Sequence, residues 1–314
     1  MNKNNIKATR QGYGDGLAEL MAEKSDVICL DADLSHATGS STIQKKFPDR
    51  FINVGIAEQN LVGMSVGLSR TGYVPFASSF AIFMAGRAGE IIRNCAAYSK
   101  ANVKFVGSHS GITPVGDGGS HQCIEDFGSM RAIPNMTILS PCDYNQAKVL
   151  VKKAYEINGP VYIRTSREGG PEITEENQEI EVGKAQILQE GSDLCIISTG
   201  FPVSLALEAA EQLQEEKINT TVINIHTIKP LDKDTILKYS KICKRILVVE
   251  EHNVLGGLSE AVSSVLVGQD GIHFDRIGIE DRFGQSGKTA DILNEYGLTT
   301  KNILVHAKEL LKNK

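Results

Sequence analysis

The sequence predicts an α/β protein made of two doubly wound, mostly parallel-sheet domains, and three observations predict it. Short apolar runs of strand length alternate with longer helix-patterned stretches along nearly the whole chain, the signature of a parallel sheet covered on both faces. One acidic, polar stretch opened by turn residues, at 169–179, interrupts that alternation. The length of 314 residues, 41% of them hydrophobic, suits about two domains with substantial cores. The expected division is 1–170, a linker at 171–182, and a smaller second domain at 183–314.

The first expected strand, 27–30, is an unbroken apolar run that follows a helix at 16–24. Residues 51–54 form the next, ended by Gly55, which permits a sharp turn into a helix at 61–69 that is apolar on nearly every side and therefore expected to be buried. Strands at 74–77 and 103–106 flank a long helix at 83–100, and strands at 136–139 and 161–164 flank one at 144–158. Beyond the linker the pattern resumes with strands at 194–199, 220–225, 245–250 and 274–279. Helices fall at 203–217, 232–239, 258–267 and 300–311.

Composition excludes several classes of function. No apolar run approaches the roughly 18 residues of a membrane span, and the first residues lack the apolar core of a signal peptide, so a soluble, cytoplasmic protein with no membrane partner is expected. The net charge of −5, from 33 basic and 38 acidic residues without a basic block, speaks against a nucleic-acid partner. The six cysteines, at 29, 95, 123, 142, 195 and 243, form no C-x-x-C pair and read as reduced core residues.

Four stretches carry candidate chemistry. Glu58 stands just beyond a strand, in the first turn of an apolar helix, where it is either a complement to the helix dipole or a poorly hydrated acid-base group. Phe80 and Phe83, three apart, share a face on helical geometry and form either core or a wall on which a flat heteroaromatic ring stacks. The long loop at 107–122 brings His109, Asp117 and His121 beyond a strand end, where they serve either turn formation or substrate chemistry. Glu250, Glu251 and His252 end a strand before two glycines; helix entry explains them as well as a site does, and His252 stays outside the catalytic set.

Taken in order and separation, several segments resemble the pyrimidine-binding half of transketolases followed by the transketolase C-terminal domain. They are Ala8-Thr-Arg10, Asp31-Ala-Asp33, Gly55-Ile-Ala-Glu-Gln59, Ser79-Phe-Ala-Ile-Phe83, the loop from Ser108-His to Asp117-Gly-Gly-Ser-His-Gln122, Pro134-Asn135, Pro141-Cys-Asp143 and Ser166-Arg167. The resemblance implies a thiamine-diphosphate enzyme that moves a two-carbon ketol unit between sugar phosphates. In the family the matching glutamate hydrogen-bonds the aminopyrimidine, which makes Glu58 the cofactor-activating acid, Phe80 and Phe83 the lining of the aminopyrimidine pocket, and Asp33 a neighbour of the cofactor. The same carry-over makes His121 the donor-side histidine and Asp117 the hydroxyl reader. It sets His109 farther out along the substrate channel, with Arg10 and Arg167 gripping the sugar phosphate. One departure touches phosphate recognition: Ser35-His36-Ala37 follows Asp33-Leu34, where transketolases often carry a phosphate-contacting serine, and Ser35, Ser40 or Ser41 can stand in for it.

What the family needs and this chain lacks points to a partner. Its two Gly-Asp-Gly triplets are not read as the family's diphosphate motif: the one at 14–16 has no asparagine at the downstream spacing, and the one at 116–118, though Asn145 follows it, lies in the loop that the resemblance gives to the substrate. A calcium loop starting at Asp31 fails because His36 stands where glycine is required and Thr42 where the bidentate glutamate belongs, and the histidines lack zinc-site spacing. No metal site is therefore assigned to the chain. The implied assembly is a split transketolase in which an N-terminal subunit brings the diphosphate and Mg2+ ligands, most simply as two copies of each subunit. The alternatives are a 1-deoxyxylulose-5-phosphate synthase, a 2-oxo-acid dehydrogenase β subunit, and a catalytically silent assembly or regulatory subunit.

Overall fold

The computed structural model describes residues 2–312. Eight strands belong to the first part of the chain: β1 (Asn2–Ala8), β2 (Val27–Asp31), β3 (Phe51–Asn53), β4 (Val74–Phe80), β5 (Lys104–Ser108), β6 (Thr137–Leu139), β7 (Val161–Arg164) and β8 (Gly169–Glu172). Six follow: β9 (Gln186–Gln189), β10 (Leu194–Ser198), β11 (Thr220–Asn224), β12 (Thr227–Lys229), β13 (Arg245–Asn253) and β14 (His273–Ile279). Every strand expected from the sequence is present within a few residues. Strands β1, β8, β9 and β12, which are polar, glycine-bearing or only three residues long, carried no apolar run to announce them.

The larger sheet has the order β12-β6-β7-β5-β4-β2-β3 and is parallel except for β12, which lies antiparallel to β6. The second sheet, β14-β13-β10-β11-β9, is parallel except for β9. Burial explains the parallel pairing: β2, β4, β5, β7, β10 and β11 are buried at every residue, as strands covered by helices on both faces must be. The chain leaves β2 for β3 on one side and returns to β4 on the other, so a topological switch point opens at the carboxyl ends of β2 and β4.

The two sheets share their cores. One apolar cluster runs from Leu30, Ala77 and Phe105 of the larger sheet to Ile197, Ile223 and Val248 of the smaller. A second, built around Leu194, Ile196 and Val249, includes Ile112 and Ile124 from the loop region after β5. The segment expected as a linker is likewise tied down. Its first residues, Pro171 and Glu172, finish β8 against β1, and Asp143 then accepts the backbone N–H groups of Ile173 and Thr174, each at 2.6 Å.

Three expectations are corrected. The helix after Gly55 begins at Glu58, and while Leu61, Val62 and Ser65 are buried, Gly63, Met64 and Gly67 are exposed, so an apolar helix keeps one face uncovered. The helix expected at 83–100 consists of two wide π-type stretches, Phe83–Arg87 and Ile92–Ala97, around the short Gly89–Ile91 piece; Gly86 and Gly89 weaken the regular ladder there. Five cysteines are buried and free, but Cys95 lies on the outer side of that irregular helix and is exposed. Among the described residues no helix is long and apolar enough to cross a membrane.

Candidate functional site

Five neighbouring strand ends deliver the expected residues to one edge of the larger sheet. Asp33 follows β2, Glu58 follows β3, Phe80 ends β4, His109 follows β5 and Arg167 follows β7. Carboxyl ends of parallel strands beside a switch point are where such sheets hold their ligands. Asp33 and His109 both adopt left-handed backbone, φ 65° and 63°, which turns the chain out of the strand at those residues.

The rings of Phe80 and Phe83 stack at 5.8 Å between centroids with 17° between planes. The expected pairing is present for a different reason than the one given by helical spacing. Phe80 closes a strand and Phe83 opens a helix, and the turn between them superimposes the rings. His109 stacks on Phe80 at 4.2 Å, and His121 meets Phe80 and Phe83 edge-on at 6.0 and 5.6 Å. His109, at positive φ, is buried, and its ring stands closer to Phe80 than that of His121 does. Its pKa falls to about 3, chiefly through burial and then through the charges of Arg10 and Arg167, so the ring is neutral at pH 7.

Glu58 is 1% exposed at the first turn of its helix. Arg87 Nη1 stands 3.5 Å from its Oε2, and the same guanidinium lies over the Phe83 ring at 5.6 Å, which links the carboxylate to the aromatic group. Oε2 nevertheless has no hydrogen-bond partner, an unusual state for a buried carboxylate oxygen. Arg87 was missed in the sequence; its position four residues after Phe83 on a helix was the available signal.

The charged members lie on the other side of the histidines. Arg167 donates to Asp117 at 2.6 Å. Arg10 donates from Nη1 to the carbonyls of Ala37, at 2.7 Å, and His36, while its buried Nε has no partner. Burial and the neighbouring positive charge of Arg167 both lower the pKa of Arg10, against a smaller opposing pull from Glu168. Two guanidinium groups that repel one another make a site that gains from an anion. A polar cleft of about 260 Å3 lined by Arg10, His36, Ser41 and Thr42 adjoins them. Asp33 stands apart, exposed and holding the side-chain amide of Asn53 at 2.9 Å.

The acidic groups at the carboxyl end of β13 have structural work. Glu250 accepts the N–H groups of Leu258 and Ser259 at the start of a helix, and Glu251 accepts those of Ile112 and Thr113. His252, fully buried, donates from Nδ1 to the carbonyl of Asn253 and accepts the N–H of Phe127 at Nε2. Asp31 is also internal: it caps Leu34 and takes the hydroxyls of Thr38 and Ser40, while burial raises its pKa to about 6. Among the described residues no group of three or more His, Cys, Asp or Glu side chains is arranged to hold a metal ion.

Two family models match the chain: the transketolase pyrimidine-binding domain over residues 6–171 and the transketolase C-terminal domain over 183–303. A Methanocaldococcus jannaschii protein named as a transketolase C-terminal section is 46% identical over 311 residues, covering 98% of this chain and 97% of its own. A 6-deoxy-6-sulfo-D-fructose transketolase subunit from a Clostridium species is 37% identical over 97% of this chain and 95% of its own. Human transketolase is 40% identical, but the match spans 93% of this chain and only 47% of that enzyme. A solved structure described as a split-gene transketolase, an inactive β4 tetramer, superimposes with a TM-score of 0.90 at 43% identity, covering 97% and 98% of the two chains. The chain therefore belongs to the transketolase family, within which it carries the pyrimidine-binding domain and the C-terminal domain.

Proposed function

We propose that the chain is one subunit of a two-polypeptide transketolase. It would transfer a two-carbon ketol unit from a ketose phosphate to an aldose phosphate with thiamine diphosphate as cofactor. The observation that carries this reading is Glu58 Oε2, a buried carboxylate oxygen left without a hydrogen bond beside an aromatic wall. Those features would suit a flat, nitrogen-bearing aminopyrimidine beside the rings of Phe80 and Phe83, with a proton shared between Oε2 and a ring nitrogen giving the carboxyl the partner it lacks. Bound thiamine diphosphate supplies a nucleophilic carbon and an electron sink for carbon–carbon bond cleavage.

The protein's own groups divide the remaining work. Glu58 holds or releases a proton at Oε2. His121 exchanges protons with a sugar hydroxyl, and Asp117 accepts another hydroxyl while its carboxylate orients Arg167. His109, neutral, hydrogen-bonds without competing for the phosphate as a cation. Arg10 and Arg167 grip the phosphate, and Asp33 borders the cofactor from its strand end.

A partner subunit supplies the diphosphate and Mg2+ ligands, in an assembly of two copies of each. The uncovered face of the helix after Glu58 supports this reading, since Gly63, Met64 and Gly67 await a covering surface next to the proposed pyrimidine site. The similar split-gene transketolase, an inactive tetramer of one kind of subunit, supports it as well. Coexpression with a polypeptide of the diphosphate-binding half, followed by a ketol-transfer assay, tests the proposal. Activity only in the mixture is expected; decarboxylating dehydrogenase or synthase activity instead would redirect it to the alternatives.

A further inference from the structure

The loop that carries His109, Asp117 and His121 is held in place by the second sheet's half of the molecule. Glu251, on β13 and 2% exposed, accepts the N–H of Ile112 at 2.8 Å and of Thr113 at 2.9 Å through one oxygen. Gly111, at φ +77°, passes so close that an added Cβ would stand 2.2 Å from the same carboxylate, so the loop is fitted to this acid. Arg164 Nη2 fixes the acceptor in turn by donating to the Glu251 carbonyl at 2.9 Å. Ile112 and Ile124, at either side of the loop, are packed into the second sheet's core. Farther along, Gln122 Nε2 donates both to the Ile112 carbonyl and to that of Gln285, and a Cβ on Gly119 would meet the Gly284 carbonyl at 2.4 Å.

We infer that Glu251 is a positioning residue: through the Ile112 and Thr113 amides it sets the geometry of the substrate-reading loop, which makes the C-terminal domain part of the site's construction. This rests on the proposed function for the loop's role, and on the hydrogen bonds alone for its anchorage. An acceptor is what the two amides need, and a carboxylate accepts more strongly than a neutral group. Losing it leaves two buried N–H groups unpaired, and a loop displaced by an ångström in a site of this kind costs about 100-fold in rate.

The test compares Glu251→Ala with Glu251→Gln, whose side-chain carbonyl still accepts. In the full chain, hydrogen exchange read by mass spectrometry should lose about tenfold or more protection over 109–122 in the alanine variant, with strands β10 and β13 unchanged, and should be largely restored in the glutamine variant. With the partner subunit, kcat/KM should fall about 100-fold for alanine and far less for glutamine. Should Glu251→Ala fail to fold, Gly284→Ala applies the same question from an outer loop, where its Cβ meets Gln122 Oε1 and pushes that side chain off its carbonyl partners. Unchanged loop exchange in the soluble variants, or equal losses for alanine and glutamine, overturns the inference. A wild-type mixture without ketol transfer counts against the proposed function, while the exchange arm still decides whether the acid anchors the loop.

Discussion

Arg87, at the end of the Phe83–Arg87 stretch, meets Glu58, at the start of its helix, Nη1 to Oε2 at 3.5 Å, with the arginine 59% exposed and the glutamate buried. The guanidinium stands near the carboxylate without closing a hydrogen bond, so Oε2 stays open to a partner. Replacing Glu58 with glutamine keeps its volume and removes its proton chemistry. Turnover in the reconstituted enzyme should fall by about 100-fold or more, with assembly and melting temperature unchanged. Steady-state kinetics beside size-exclusion chromatography checks it; near-normal turnover would end the acid-base assignment.

The positive charge of Arg167 bears on Arg10, so the pair gains from an anion. Alanine at either position should raise KM for phosphorylated sugars about tenfold or more, and raise it much less for hydroxypyruvate, which has no phosphate. Equal losses for both substrates would mark the arginines as structural, through the Ala37 carbonyl in one case and Asp117 in the other.

Thiamine diphosphate should not bind the isolated chain at micromolar concentration. This half of the site has an aromatic wall and an acid, but the described residues offer no metal cluster to hold a hydrated diphosphate. Isothermal calorimetry should register binding only after the partner subunit is added, and micromolar binding to the chain alone would contradict the split-site reading.

Most of the sheet was legible because its strands are short and wholly apolar: Val-Ile-Cys-Leu at 27–30 has no other destination than a covered strand. The site was legible as a set of residues, and less so as a geometry. Spacing placed Phe80 on a helix, whereas it belongs to β4, because serines at 78 and 79 hid the strand's continuation. The stacking of His109 on Phe80 was out of reach, because a positive φ at a histidine leaves no mark in the sequence. The role of Glu251 was out of reach, since its partners are backbone amides 138 and 139 residues away.

Acid should weaken the fold partly through His226. It is buried, and burial, partly offset by Asp232, lowers its pKa to about 4. Above pH 6.5 the ring is neutral in both states; below it the unfolded chain takes up a proton that the folded chain refuses until about pH 4. Stability is therefore lost as pH falls through that window, by at most about 1.4 kcal/mol per pH unit for this group. Asp31, with its pKa raised to about 6, pulls the other way, since its protonated form is favoured in the folded chain. The clean measurement is accordingly a difference: urea unfolding of wild type and His226→Gln at pH 7, 6 and 5. The gap between the two should narrow toward pH 5, and a constant gap would show that the ring titrates normally in the folded protein.

The larger sheet takes its edge strand β12 from residues 227–229, and the site loop lends Ile112 and Ile124 to the other core. A ribosome delivers the chain from its N-terminus at about 5–20 residues per second, so these pieces arrive at different times. When residue 172 has emerged, β6 still has a bare edge and both isoleucines face water. Glu251 and Gln285 come seconds later, and only then does the loop with His109, Asp117 and His121 have its anchors. The candidate site is thus among the last parts to mature during synthesis, and a nascent chain broken off before β13 carries its residues without its shape.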